Sequence, residues 1–498
     1  MNTVRALFLA ILSIALLVSG AIAPAHAIDP EQLPDIGSPA EAAISLDDEY
    51  RIGLSVLREY RNADQILEDP EVTQYIDTLG HRLSSAAQDG KQKFHFVVVK
   101  DPNINAFAVP GGFVFVNSGL ILATHNESEL AGVLAHEISH VTQRHIIRSL
   151  LEQRKSALAS TAAMLAAILL GATTHGGGDA AMAGIAGAQT IALAQQMSFS
   201  RDMESEADRV GMGVLSRAGF DPNGMPNFFE VIAKLSGGHE SNVPSIVLSH
   251  PVTTDRIAEA RARVAELPVN HVTDSLSYAI SRERVRVLTT ASGESPLTYY
   301  TARDRANTDN TPAESYGKAI AMVAAGEPAS AVPILRALVN KNESVVQYRT
   351  ALGQAQFAAG DKAGTLATYE RSMQLFPRDV STTVRYAEAL TRYGQPKQAH
   401  RVLLDLFNAV EPTPAQVRQL ALTANAADDV ADAYAYMSEY HIMGGDLALA
   451  VNQLQLALSV PKITDVQRAR FRARLDEIRA AMPRRLSRPQ QDERRVGR

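Results

Sequence analysis

His136 and His140 stand four residues apart, with Glu137 beside the first, in the run His136-Glu137-Ile138-Ser139-His140. On an α-helix, residues i and i+4 share a face, so both imidazoles can be aimed at one metal ion while Glu137 stands next to it. The pattern suits metal-assisted hydrolysis, with ring nitrogens as ligands and a carboxylate as general base. A catalytic zinc of this kind takes three protein ligands and keeps one position for water, so a third ligand is required. Downstream lies Ser200-Arg201-Asp202-Met203-Glu204-Ser205-Glu206-Ala207-Asp208. Glu204 and Asp208 again share a helical face, so one can bind metal while the other accepts a hydrogen bond from a ligand imidazole. Spacing alone leaves Glu204 and Glu206 as alternatives. His250, within Leu248-Ser249-His250-Pro251, sits in a loop suited to reaching into a cleft.

These residues need elements to hold them. Asn126 can cap a helix in which Glu129 completes a capping box and Leu130, Val133, Leu134, Ile138 and Val141 mark an apolar face. Burial of an unpartnered imidazole is costly, so His136 reads as a ligand rather than a surface residue. Helical patterns also cover Glu49–Arg61 and Pro70–Ala87, the latter announced by Asp69-Pro70. Phe94–Val99 and Phe113–Val116 read as strands. Between them, Asn105-Ala106-Phe107-Ala108 precedes Pro110-Gly111-Gly112. Proline cannot donate to a ladder, so this segment is either an edge strand able to pair with an extended peptide or one arm of a hairpin. Two Ala-rich runs, Ser156–Ala172 and Asp179–Gln195, flank Gly176-Gly177-Gly178. Each is shorter than the roughly 20 residues that cross a bilayer. They read as a helical hairpin that packs in the core, covers the site or makes a peripheral membrane contact across 156–195.

The chain has 498 residues, a net charge of −6 and no cysteine. Its length implies two or three domains, and its charge argues against nucleic acid as a partner. The absence of cysteine excludes a disulfide framework, leaving packing to stabilise the fold. Arg5, the apolar run Ala6–Val18 and Ala25-His26-Ala27 form a signal-peptide pattern over 1–27, with cleavage near Ala27. A metallopeptidase domain is expected over 28–289, a polar linker over 290–310, a repeat domain over 311–482 and a basic tail over 483–498. Gly326, Gly360 and Gly394 recur every 34 residues, and Leu352-Gly353-Gln354-Ala355 matches a tetratricopeptide element. Pro333 disturbs the first unit, and Gly445-Asp446 echoes Gly360-Asp361 in a unit that drifts. The expected fold is mainly α with a small β-sheet: a zincin-like metallopeptidase domain followed by an α-solenoid of such repeats.

Asn105-Ala106-Phe107-Ala108 with Pro110-Gly111-Gly112, then HEISH, SRDMESEAD and SHPVTTDR, occur in the order found in the zinc peptidases related to the CAAX prenyl endopeptidase. With its repeats the chain resembles most closely the periplasmic branch that serves outer-membrane β-barrel assembly. The resemblance implies one Zn2+ per chain on His136, His140 and Glu204, with Glu137 as general base and Asp208 supporting a ligand. It matches His250 and Arg256 to a His-Pro-x-x-x-x-Arg element tied to transition-state stabilisation or control of the metal, with His250 a candidate fourth ligand at rest. It further implies the periplasm of a Gram-negative bacterium, misassembled outer-membrane proteins as substrates and the outer-membrane assembly machinery as partner. The competing reading is a chaperone-like repeat module with a structural or silent metal site, against which Glu137 argues, since a structural site needs no base.

Overall fold

The computed structural model describes residues 44–482, apart from 88–89, 91, 156–198, 237–243, 269, 271 and 307–309. The expected signal peptide, Ala-rich hairpin and basic tail lie outside the described residues. Two capped helices open the described chain. In α1 (Leu46–Asn62) the Ser45 side chain accepts from Asp48 N at 3.2 Å. In α2 (Pro70–Ala86) Asp69 accepts from Val72 N at 3.1 Å and Pro70 takes the first turn, where no amide is needed.

A three-stranded sheet follows, built from β1 (His95–Val99), β2 (Ala106–Val109) and β3 (Phe113–Asn117) in the order β1-β3-β2. β1 runs parallel to β3, and β2 runs antiparallel to it with Phe107 opposite Phe115. The two sequence readings of 105–112 therefore coincide: β2 is an edge strand and also one arm of a hairpin. Gly111 and Gly112 make its turn at φ 87° and 81°, where a Cβ would strike Tyr50 Cα at 2.5 Å and Lys93 O at 1.9 Å.

The peptidase half is completed by α3 (Ser118–Ala123), α4 (Glu127–Thr142), α5 (His145–Lys155), α6 (Arg201–Arg217), α7 (Gly224–Ser236), α8 (Ser245–Ser249), α9 (Thr254–Val264) and α10 (Leu276–Leu288). α4 departs from the one-faced helix expected. Every residue from Glu127 to Val141 is buried, because the sheet, α2, α6 and α7 surround it. Glycine permits the close approach: a Cβ on Gly132 would lie 3.0 Å from the Met225 backbone, and one on Gly211 3.2 Å from Ala135. Asn126 accepts from Glu129 N at 2.9 Å as expected, but Glu129 reaches past the cap to His125 N at 2.7 Å, so the capping box is not closed.

The expected linker is a second correction. α11 (Thr298–Arg305) lies within 290–310, and its Tyr300 is fully buried, donating to Glu283 Oε2 at 2.7 Å. α10 binds the two halves together, giving Tyr278 and Val285 to the peptidase core and Ile280 and Val287 to the first repeat core. Five helix pairs then run from Pro312 to Ala481. The 34-residue period outlasts its glycines: Gly326, Gly360 and Gly394 have φ of 83°, 77° and 79°, and the next two pair turns use Asp428 at 69° and Lys462 at 68°. Each turn requires a left-handed residue between two antiparallel helices, and this backbone demand persists where the sequence drifts. Pro333 is taken inside the helix Pro328–Lys341.

Candidate active site

α4 carries His136, Glu137 and His140, and α6 crosses it to bring Glu204 and Asp208. His250 enters from the C-cap of α8, and Arg256 from the first turn of α9. One ligand-capable atom from each of His136, His140, Glu204 and His250 lies within 4.8 Å of the others. The two Nε2 atoms of His136 and His140 are 2.9 Å apart, and His250 Nδ1 is 3.3 Å from His136 Nε2 and 2.8 Å from Glu204 Oε1. All four residues are buried.

Whether this set suits a cation can be judged from where its protons go. His136 Nδ1 lies 2.9 Å from Asp208 Oδ1 at an angle too bent for a hydrogen bond, yet an ionised carboxylate only accepts, so its nearness favours the His136 proton on Nδ1. His140 Nδ1 faces His145 Nδ1 at 3.0 Å, and His145 Nε2 faces Glu206 Oε2 at 3.1 Å. Glu206 fixes the proton of His145 on Nε2, which leaves its Nδ1 as the acceptor for His140. Both Nε2 atoms of the His-x-x-x-His pair are thereby lone pairs turned on each other in a buried site. A metal ion resolves that repulsion, so the residues present fit one.

Electrostatics follow the same geometry. Burial pushes the Glu204 carboxyl up, but His250 and His136 outweigh it and hold the group below its ordinary value. Burial likewise raises Asp208, and His136 and Arg256 more than reverse this. His140 is pushed well down by burial and by the neighbouring imidazoles. Glu137 is raised by burial, which the facing histidines only partly oppose. Its Oε2 accepts from Ala108 N of β2 at 2.9 Å, while Oε1 has His250 Nε2 at 3.5 Å and no hydrogen bond.

Arg256 differs from a residue aimed at substrate. Its Nε and Nη2 donate to Asp208 at 2.9 Å each, and Nη1 lies 2.8 Å from Glu204 Oε2 and from Pro251 O. It orients two carboxylates and ties down the loop that carries His250. The edge of β2 is also not open. Ala108 N is taken by Glu137, and Ile246 N of α8 donates to Ile104 O at 3.2 Å, so Asn105, Ala106, Phe107 and Ala108 are all buried.

Sequence reasoning missed His145. Its position depends on the break after α4, where Arg144 turns left-handed at φ 51° and is anchored by Glu49 and by Ile44 O at 2.8 Å, folding His145 back under His140. The signal available was Glu206, which lies beside Glu204 in sequence and faces away from the metal site towards His145 and Arg148.

Comparisons with known proteins bear on the family. Residues 70–264 match the family model described as Peptidase family M48. The chain is 34% identical over 457 residues to the beta-barrel assembly-enhancing protease of Yersinia pestis, spanning 90% of this chain and 91% of that protein. It is 33% identical over 478 residues to the protein of that name from Escherichia coli (strain K12), spanning 94% and 95%. A mitochondrial metalloendopeptidase of Schizosaccharomyces pombe is 28% identical over 233 residues, 46% of this chain and 65% of that one. Similar over nearly its full length to these proteins, the chain belongs to the β-barrel assembly-enhancing protease family of M48 metalloendopeptidases.

Proposed function

We propose that this protein is a periplasmic zinc endopeptidase that degrades misassembled outer-membrane β-barrel proteins and assists the assembly of others, its repeats recruiting clients and the assembly machinery. The observation that carries this reading is Glu137: a carboxylate buried beside four metal-capable side chains, with Oε1 left without a hydrogen bond and 3.5 Å from His250 Nε2. A structural or chaperone-only site has no use for such a group. The leader pattern at 1–27 and relatives in Gram-negative bacteria support the periplasm.

His136, His140 and Glu204 would hold the ion, with Asp208 fixing the tautomer of His136. Bound there, zinc supplies Lewis acidity, lowering the pKa of water and polarising the scissile carbonyl. Glu137 takes the water proton on Oε1 and delivers it to the leaving amine, while Ala108 N holds Oε2 in place. Arg256 keeps Glu204 and Asp208 ionised and oriented. His250 acts as a brake at rest: its Nδ1, 3.3 Å from His136 Nε2 and 2.8 Å from Glu204 Oε1, would compete with water for the ion, and its loop is held beside the start of β2 through Ile246 N and Ile104 O. When the loop leaves, an extended substrate gains the edge and His250 becomes free to donate to the developing oxyanion.

The test is casein degradation with and without a chelator. Wild-type protein should be active and chelator-sensitive, and Glu137→Gln should keep its zinc by elemental analysis yet lose activity. Casein cleavage by Glu137→Gln at the wild-type rate would remove the proposed base.

A further inference from the structure

The sheet has a second edge, away from Glu137. β1 pairs with β3 through alternate residues, His95 N donating to Gly112 O at 2.9 Å, so Phe96 turns its amide and carbonyl outward. Among the described residues, backbone pairing covers the far end of this edge, where Ile66 bridges Val99 and Leu67 N donates to Val98 O at 2.8 Å. Among the described residues, the outward groups of Phe96 have no backbone partner. They face a cleft of about 1480 Å³ between the peptidase half and the repeats.

The walls of that cleft differ in character. α1 lines one side with Leu46, Tyr50, Leu54 and Leu57 at helical spacing, and Leu46 and Tyr50 are 43% and 41% exposed. α2 lines the other with Thr73, Asp77, His81 and Ser84. These helices cover opposite faces of the sheet, α1 over Val97 and Phe113, α2 over Phe96 and Val98. A strand added beside Phe96 would therefore send alternate side chains to an apolar wall and to a polar one. Charge adds a further preference. The lining holds six acidic side chains against three Lys or Arg, and the repeats contribute Glu388 and Glu411 to the acidic share. Burial pushes the Asp77 carboxyl up to about 6, against the pull of His81, so a cation placed beside it would offset the cost of its buried charge.

We infer that this cleft captures one extended segment of an unfolded β-barrel client. The segment pairs with the backbone of Phe96, sets its apolar residues against Tyr50, Leu54 and Leu57, and places a lysine or arginine opposite Asp77. Alternation of apolar and polar residues is the pattern of a transmembrane β-strand, which fits the two walls. The inference rests on the client class proposed above. Capture and cleavage would then use opposite edges of one sheet, β1 and β2.

The test uses full-length Glu137→Gln and a fluorescent ten-residue peptide alternating Val or Leu with Thr or Lys, read by anisotropy. A shuffled peptide of equal composition should bind at least about tenfold more weakly, about 1.4 kcal/mol. Adding Leu54→Lys should weaken binding by a similar factor. Adding Asp77→Lys should transfer preference from the Lys peptide to one carrying Glu, a swap that decides the matter even if Leu54→Lys fails to fold. Hydrogen exchange over 94–98 should slow on binding. Equal binding of the shuffled peptide, no charge swap, or unchanged exchange over 94–98 would each overturn the inference, as would a peptide-independent dimer that buries the cleft. Casein cleavage by the parent enzyme reads the peptidase separately: its absence, with peptide capture intact, would sink the protease reading and leave the cleft standing.

Discussion

Replacing His145 with phenylalanine should weaken zinc binding about 10- to 100-fold while leaving the chain folded. His145 is completely buried; it meets the site through the 3.0 Å contact of its Nδ1 with His140 Nδ1, while its Nε2 faces Glu206 Oε2 at 3.1 Å. Phenylalanine fills nearly the same volume, so cavity cost is small, but the His140 Nδ1 proton loses its acceptor in a dry site. An unsatisfied buried donor costs about 1–3 kcal/mol, which is about 5- to 150-fold in an equilibrium. Loss of an outer partner of a metal-bound imidazole independently suggests about 10- to 100-fold. Glu206→Gln should do less, because Glu206 is 28% exposed and partly engaged by Arg148 at 2.8 Å; an exposed pair of this kind is worth about 1 kcal/mol or less. Zinc affinity is measured by competition with a fluorescent chelator, and circular dichroism confirms folding. The expected order of loss is Glu204→Ala, then His145→Phe, then Glu206→Gln. Unchanged affinity in folded His145→Phe, or greater loss from Glu206→Ala than from Glu204→Ala, would refute the relay.

Three further outcomes follow from the same contacts. His250→Ala should raise basal cleavage of an unfolded protein with zinc content unchanged; a fall of about 10²–10³ with zinc retained would assign oxyanion stabilisation instead, and no change would leave it an ordinary loop residue. Arg284→Ala should destabilise the chain in urea by about 3 kcal/mol, because the 3% exposed guanidinium binds Asp69 at 2.7 Å and Glu71 at 3.1 Å and its removal leaves these two buried carboxylates to share the single cation of Arg385, at 3.0 and 3.5 Å; a loss under about 1 kcal/mol would contradict this. Asp77 titrates near 6 when folded, above its unfolded value, so the folded state binds the extra proton and stability falls as pH rises from about 4 to about 6. Asp77→Asn should therefore raise the melting temperature at pH 7.5, by a gain on the order of 2 kcal/mol, and leave it nearly unchanged at pH 4; equal effects at both pH values would argue against a raised carboxyl.

Much of the site was legible because its chemistry is periodic. Histidines four apart and carboxylates four apart are each placed by the helix alone, and a 34-residue recurrence of glycine needs only a counted chain. Resemblance then selected Glu204 over Glu206, and the structure turns Glu206 towards His145. What escaped were features set by contacts between elements distant in sequence. The capping box on α4 failed because Glu129 found a nearer partner in His125. The linker turned out to be packed helix, since Tyr300 reaches Glu283, and polar composition reports exposure along a segment rather than what one buried tyrosine can anchor.

The sequence by itself determined the residues able to hold a metal, the base beside them and the repeat period, because each is local and repeats with the geometry of one helix or one turn. Only the tertiary structure decided that α4 is buried on every side and that His145 completes the support of His140. It likewise decided that Glu137 and the segment before His250 lie against the β2 edge, at Ala108 and Ile104, and that the opposite edge faces a two-walled cleft. Those outcomes depend on which helices cross and which strand ends a sheet. They are set by packing between segments up to about 300 residues apart, as in the contact of Asp69 with Arg385, a separation of 316, and no short-range pattern encodes them.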